Sequence, residues 1–181
     1  MPRSFSPIRR DVLAVFGALS LFMSTLEYLV PKPLPFFRLG LANLPLLVGL
    51  RFLRPQDVLL LTLIKVFGQG LVNGTLASYV FLFSAAGSFS SVLVMSLVQH
   101  FGKSWVSLVG ISTAGALASS SVQIVLALFF VFGEAARAFA PYSLGSALIT
   151  GLVLGFFAQR FVQTSRWLQN MENGYRKGVQ G

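Results

Sequence analysis

Three polar residues follow one another at intervals of four in an apolar part of the chain: Lys65, Gln69 and Asn73. Residues four apart in a helix share a face, so a cation and two amides would form one polar row. A charged side chain inside a membrane helix costs at least ~2.5 kcal/mol, so it usually faces a cavity or a partner. The row predicts a binding site for a small polar ligand. Lys65 could instead reach the lipid headgroups or form a structural pair with Glu27.

Four further polar residues are predicted to lie at the same depth and to line the same cavity. Each of them alone is as well explained by a hydrogen bond between helices, but their shared depth favours a common site. Basic residues outnumber acidic ones on this side of the predicted bundle, three against two, which favours an anionic or phosphate-bearing ligand. The four residues are Glu27, Arg38, Asn43 and Gln123.

Catalytic and metal-binding chemistry finds little support in the residue types. The chain has five carboxylates, no two of them close in sequence, one histidine, His100, and no cysteine. It therefore lacks a paired-aspartate motif for magnesium diphosphate, and it also lacks a Walker-type phosphate loop. We predict a protein that is not an enzyme and that has no metal site and no cofactor, so any transport energy would come from partners or gradients.

Membrane helices are the elements that must position these residues. Apolar residues make up 55% of the 181 residues and charged residues 10%, which an ordinary water-soluble domain does not have. One crossing needs about 20 mostly apolar residues, so the chain has room for roughly six. The predicted fold class is an all-α membrane protein. Apolar stretches predict helices at 11–30, 36–53, 57–75, 77–100, 105–133 and 141–163.

Basic residues indicate how the predicted helices are oriented. Lys and Arg are retained on the cytoplasmic side, and ten of the fourteen flank alternate helix ends, from Arg3 to Lys177. Both termini should therefore be cytoplasmic, with residues 1–163 forming one transmembrane domain of the cytoplasmic (inner) membrane and residues 164–181 a basic cytoplasmic tail. The net charge of +9 is then explained by anionic membrane lipids, and no nucleic-acid partner is predicted.

Small residues in the first predicted helix carry one resemblance to a known family. Ala14 and Ala18 form a pair that lets another helix approach closely. An alanine-spaced first helix resembles that of the substrate-binding S-components of energy-coupling factor transporters, six-helix proteins that dock on a coupling subunit and two ATPases. Phe22 stands where the fullest version of the motif has a third alanine. The resemblance implies docking through Ala14 and Ala18, while packing within the chain is the alternative.

A second resemblance lies in the Arg-Leu-Gly-Leu-Ala-Asn run that starts at Arg38. This run is similar to the signature of the Gx transporter family, also labelled heptaprenyl diphosphate synthase component I and distantly related to the S-components. With weaker matches elsewhere, the resemblance covers about residues 12–158. The chain departs from the family at Ser119 and Ser120, where a His-Asn pair is common, although Gln123 is retained.

Two classes of function follow from these resemblances. The first is an S-component-like subunit that captures a vitamin-like or cofactor-precursor molecule and relies on a separate coupling and ATPase module. The second is an accessory membrane subunit in isoprenoid, quinone or flavin metabolism. A self-sufficient proton-coupled carrier is disfavoured because the membrane helices hold few acidic residues.

Overall fold

The computed structural model describes residues 7–29, 40–102 and 105–180, with side chains for 9–27, 29, 40–102 and 105–175. Every regular element in these ranges is helical, which confirms the predicted all-α class. A short 3-10 turn, Leu41–Asn43, precedes the second helix. The helices are α1 Pro7–Leu29, α2 Leu44–Gly49, α3 Pro55–Val72, α4 Tyr79–Gly102, α5 Leu108–Ala127, α6 Ala136–Thr164 and α7 Arg166–Gln180.

The long helices alternate in direction, apart from α1 and α3, which run parallel. Arg9 meets Asp57 at the start of α1 and α3, and Gly68 lies against Leu21 further along both helices. Helix α4 runs antiparallel to α3, α5 to α4 and α6 to α5. The start of α1 and the end of α6 therefore lie at one end of the bundle, which we call the basic end. Its arginines are Arg9, Arg10, Arg51, Arg54, Arg160 and Arg166.

Helices α5 and α6 form a tight hairpin. Two helical runs in the described residues, Tyr79–Gly102 and Leu108–Thr164, are long and apolar enough to cross a membrane, and the second contains both α5 and α6. This run reverses at Gly133, whose φ of 54° favours glycine. A Cβ atom at Gly151 or Gly155 would lie 2.8 or 2.6 Å from a backbone Cα atom of α5, so glycine permits the close approach.

The second predicted helix, 36–53, differs most from the prediction. Residues 30–39 lie outside the described part, and from there the chain forms only the 3-10 turn and the six residues of α2. Six helical residues rise about 9 Å, far less than the bilayer core. Helix α2 begins no earlier than Leu44 because Pro45 is tolerated only in the first turn of a helix, and it lies inside the bundle, where Pro45 to Gly49 are all buried. Helix α6 also begins earlier than predicted and includes Pro141 near its start.

A polar cluster attaches α7, which was not predicted as a helix, to the basic end. The Arg9 guanidinium donates to both carboxylate oxygens of Asp57, and the Tyr175 hydroxyl donates to Oδ2 of the same carboxylate. The backbone N–H of Arg54 donates to the Tyr175 oxygen at 3.3 Å. Burial and the hydrogen bond to Asp57 raise the pKa of Tyr175. The basic tail is therefore a helix whose apolar face, including Leu168, packs on the core.

Candidate functional site

A small polar cavity lies in the middle of the bundle, between helices α1 to α6 and the turn before α2. Its volume is about 50 Å³, which is room for a few water molecules. This is below the several hundred Å³ typical of ligand pockets, so the cavity is smaller than the sequence led us to expect. We call it the central cavity. Its polar lining residues are Glu27, Asn43, Lys65, Gln69, Ser88, Ser91, Ser112, Ser119, Ser120 and Thr150.

Lys65 occupies the wall of the central cavity and is only 2% exposed. Its ammonium group donates to Asn43 Oδ1 and, at 3.0 Å, to Ser88 Oγ. The side chain therefore does not reach out to lipid headgroups. Helix α3 holds Lys65 inward because the same face carries Leu61 and Thr62, which are fully buried.

Glu27 reaches the central cavity from the end of α1 and is 6% exposed. Its carboxylate accepts hydrogen bonds from the backbone N–H groups of Gly40, at 3.3 Å, and Ala42, at 3.4 Å. Gly40 has a φ of 77°, a conformation that favours glycine. One and two turns earlier in α1, the Ser24 and Ser20 hydroxyls are buried with no hydrogen-bond partner among the described residues. A polar stripe thus leads along α1 to the cavity.

Helix α4 contributes a row of buried serines that the sequence analysis did not single out as site residues. Ser84, Ser88 and Ser91 lie on one face at spacings of four and three. Ser84 donates to Gln69 Oε1 at 3.3 Å, and Ser88 accepts from Lys65. The helical spacing of these hydroxyls within an apolar run was the available signal, because polar groups on one helix face indicate a polar neighbour.

Two predicted cavity residues lie elsewhere. Asn73 ends α3, where its backbone N–H bonds to Gln69 O, and it is not among the residues that line the cavity because the helix stops there. Gln123 is buried, and its amide fills the space left by Gly87 and donates to Ser119 Oγ at 3.3 Å. It is thus one hydrogen bond away from the cavity. The predicted site residue Arg38 lies outside the described residues.

The proposed docking residues Ala14 and Ala18 are exposed on α1. They line an open groove between α1 and α3 whose floor is apolar, and we call it the α1–α3 groove. Gly17 is buried at the floor of this groove, where a Cβ atom would sit 3.5 Å from Ile64. The groove is therefore a shallow surface of small side chains beside α3.

The central cavity suits binding by charge and hydrogen bonding. Lys65 offers a cation, Glu27 a carboxylate already engaged by backbone N–H groups, and Asn43 and Gln69 offer amides. Within the described ranges, no group of three or more His, Asp or Glu side chains could hold a metal ion. An anion that reaches Lys65 would meet hydroxyl donors on α4 and α5 as well.

Comparison with known families supports the second resemblance drawn from the sequence. The family model described as heptaprenyl diphosphate synthase component I matches residues 16–161. The match includes α1 from Phe16 and continues almost to the end of α6, so it covers the central cavity. No curated protein and no solved structure matches the chain. The chain belongs to the heptaprenyl diphosphate synthase component I family.

Proposed function

We propose that this protein is the substrate-capturing membrane subunit of an uptake system, similar to an S-component, and that it binds a small anionic vitamin-like or cofactor-precursor molecule whose acidic group enters the central cavity. The observation that carries this proposal is the buried Lys65 ammonium, which donates to Asn43 and Ser88 inside a polar cavity. A ligand carboxylate or phosphate would replace neutral acceptors with a charged one, and such hydrogen bonds are the stronger kind.

The outer surface supports a multi-pass location in the cytoplasmic membrane. The face of α6 that points away from the bundle is apolar and exposed, as lipid contact requires. By the positive-inside rule the basic end is cytoplasmic, which gives N-in and C-in topology. In this proposal the chain crosses the membrane six times. The exposed residues of α6 are Leu148, Ile149, Leu152, Val153, Phe156 and Phe157.

The α1–α3 groove is the proposed docking surface for a coupling subunit that works with separate ATPases. Ala14 and Ala18 leave room for a partner helix to approach closely.

Because Ala18 is exposed, Ala18→Leu should leave the fold intact and obstruct the partner. The measurement is co-purification with a coupling subunit, and Gly145→Leu on the exposed face of α6 is the control. Equal recovery of the complex with both variants would remove the docking role.

Native mass spectrometry of the protein purified from its own membrane tests the capture role. We expect wild-type protein to retain a small molecule and Lys65→Met to lose it, since Met keeps most of the length of the side chain without its charge. Arg137→Gln removes an exposed cation at the end of the bundle opposite the basic end, and this variant should retain the molecule. A folded Lys65→Met variant that keeps the same bound mass would refute the proposed ligand contact.

The family description favours a second candidate function. A component I implies a partner enzyme component, so the chain could be an accessory membrane subunit in isoprenoid, quinone or flavin metabolism. Pull-down from native membranes separates the two candidates. Recovery of coupling and ATPase subunits supports capture, and recovery of a prenyl synthase or flavin-transfer protein supports the accessory role.

A further inference from the structure

A second cleft lies at the basic end of the bundle, and we call it the basic-end cleft. Its volume is about 370 Å³, and it lies where the end of α4, the start of α5, the end of α6 and the segment after α2 meet. None of its lining residues lines the central cavity. It therefore needs an explanation of its own.

Side chains that donate hydrogen bonds dominate the polar wall of this cleft. Arg51 brings a guanidinium group, and Gln159 and Gln163 bring amides from adjacent turns of α6. Gln99 is held in place because its Nε2 donates to Leu50 O at 2.8 Å. None of the described residues that line the cleft is acidic. The wall is thus positive in charge, with no opposing carboxylate to neutralise Arg51.

Gln159 supplies the observation that points to a ligand. Its Oε1 atom is buried and has no hydrogen-bond partner among the described residues. A buried polar atom without a partner costs free energy, so native proteins usually satisfy such atoms with protein, water or a ligand. Oε1 is closed off from the cleft in this rotamer, but Gln159 lines the cleft, so a rotation of its amide brings Oε1 to a ligand hydroxyl and leaves the N–H donors for an anion.

The first turn of α5 adds donors at the same place. Ser107 lines the cleft and caps this 20-residue helix by accepting from Gly110 N at 3.2 Å. The first backbone N–H groups of a helix have no partner within it, and the helix dipole favours an anion there. Helix geometry and the Arg51 charge therefore favour the same class of ligand.

The other wall of the cleft is apolar, formed by Val106, Leu108 and Ile111. Trp105, next to this wall, is 95% exposed, and tryptophan is enriched at the level of lipid headgroups. The cleft thus combines a cationic wall and an apolar wall at the level expected for headgroups. Basic pockets between membrane helices on the cytoplasmic side are known to bind anionic headgroups.

We propose that the basic-end cleft binds a phosphate group that carries a neighbouring hydroxyl, as in a glycerophosphate. Arg51 and the start of α5 hold the phosphate, and Gln159 accepts from the hydroxyl. The group could come from an anionic phospholipid headgroup or from a free phosphate ester. This site is independent of ligand capture in the central cavity.

Thermal melting of the purified full chain in detergent tests the proposal. Phosphatidylglycerol is titrated against phosphatidylcholine with the same acyl chains, and glycerol 3-phosphate is titrated separately. A melting shift with phosphatidylglycerol alone assigns the site to a lipid headgroup, and a shift with glycerol 3-phosphate as well assigns it to a free phosphate ester. An absence of any shift, or an equal shift with both lipids, overturns the proposal.

Two variants locate the bound group. We expect Arg51→Gln to weaken the apparent affinity by about ten- to a hundredfold, as for loss of a charged hydrogen bond. Arg160→Gln, which removes an exposed charge from the same end but outside the cleft, should leave it unchanged. Gln159→Leu should weaken binding without lowering the melting temperature of the unliganded protein. Equal effects of the two arginine variants would contradict the site.

Discussion

Replacement of Gly155 by alanine tests the close contact between α5 and α6, which forms one wall of the central cavity. A Cβ atom at Gly155 would lie 2.6 Å from the Cα atom of Val109, whereas carbon atoms normally pack at about 3.5–4.0 Å. The two helices would have to separate by about 1 Å, and overpacking of this kind costs about 1–3 kcal/mol. Alanine recovers up to about 1 kcal/mol through its helix propensity.

Gly145 provides the matched control on the same helix. A Cβ atom there meets nothing within 4 Å, so Gly145→Ala should gain helix propensity without a clash. The difference between the two variants isolates the contact and should equal the overpacking cost of about 1–3 kcal/mol. For a chain of this size, the Gly155→Ala variant should then melt about 2 to 12 °C below Gly145→Ala in detergent. Equal melting temperatures would show that the backbones are not in contact at Gly155.

Three further predictions concern Asp57, Tyr175 and Glu27, whose polar contacts join separate parts of the chain. Asp57→Asn removes the buried carboxylate that pairs with Arg9, which should cost up to about 3–5 kcal/mol in melting experiments, whereas Glu134→Gln in an exposed pair should have no measurable effect. The pKa of Tyr175 is raised in the folded protein, so this residue should contribute stability below pH 10 and lose that contribution as the pH rises above 10. Tyr175→Phe should therefore lose less stability than wild type between pH 8 and 11, and equal losses would refute the linkage. Glu27→Gln should speed hydrogen exchange at Ala42 relative to wild type, and unchanged exchange would mean that the carboxylate does not hold the turn.

Local sequence patterns were sufficient to predict the helical class and the inward position of Lys65. A charged side chain in an apolar membrane helix is costly to expose to lipid, so it usually faces a cavity or a partner. Helical spacing then shows which neighbouring residues share its face. The Gly40–Asn43 part of the signature has a structural explanation. Gly40 adopts positive φ, and the turn presents the backbone N–H groups of Gly40 and Ala42 to Glu27. Asn43 in the same turn accepts a hydrogen bond from Lys65.

Contacts between distant parts of the chain decided the rest. Helical spacing predicted Asn73 on the same face as Lys65, but α3 ends at Asn73 and this residue does not line the cavity. The Gln123 amide fills the space beside Gly87, and this space exists only because α4 packs against α5. The cavity is small for a similar reason: its volume depends on how closely the surrounding helices pack, and no single segment encodes that distance.

The basic tail shows the same division most clearly. By itself the sequence after residue 163 determined a polar, positively charged segment, because net charge and polarity are properties of composition. The spacing of Leu168, Met171 and Tyr175 is itself a helical pattern. Only the tertiary structure decided that helix α7 packs on the basic end, since Tyr175 bonds to Asp57 across 118 positions of sequence. A hydrogen bond of that range depends on how α1 and α3 bring Arg9 and Asp57 together, and this is set by packing rather than by any local pattern.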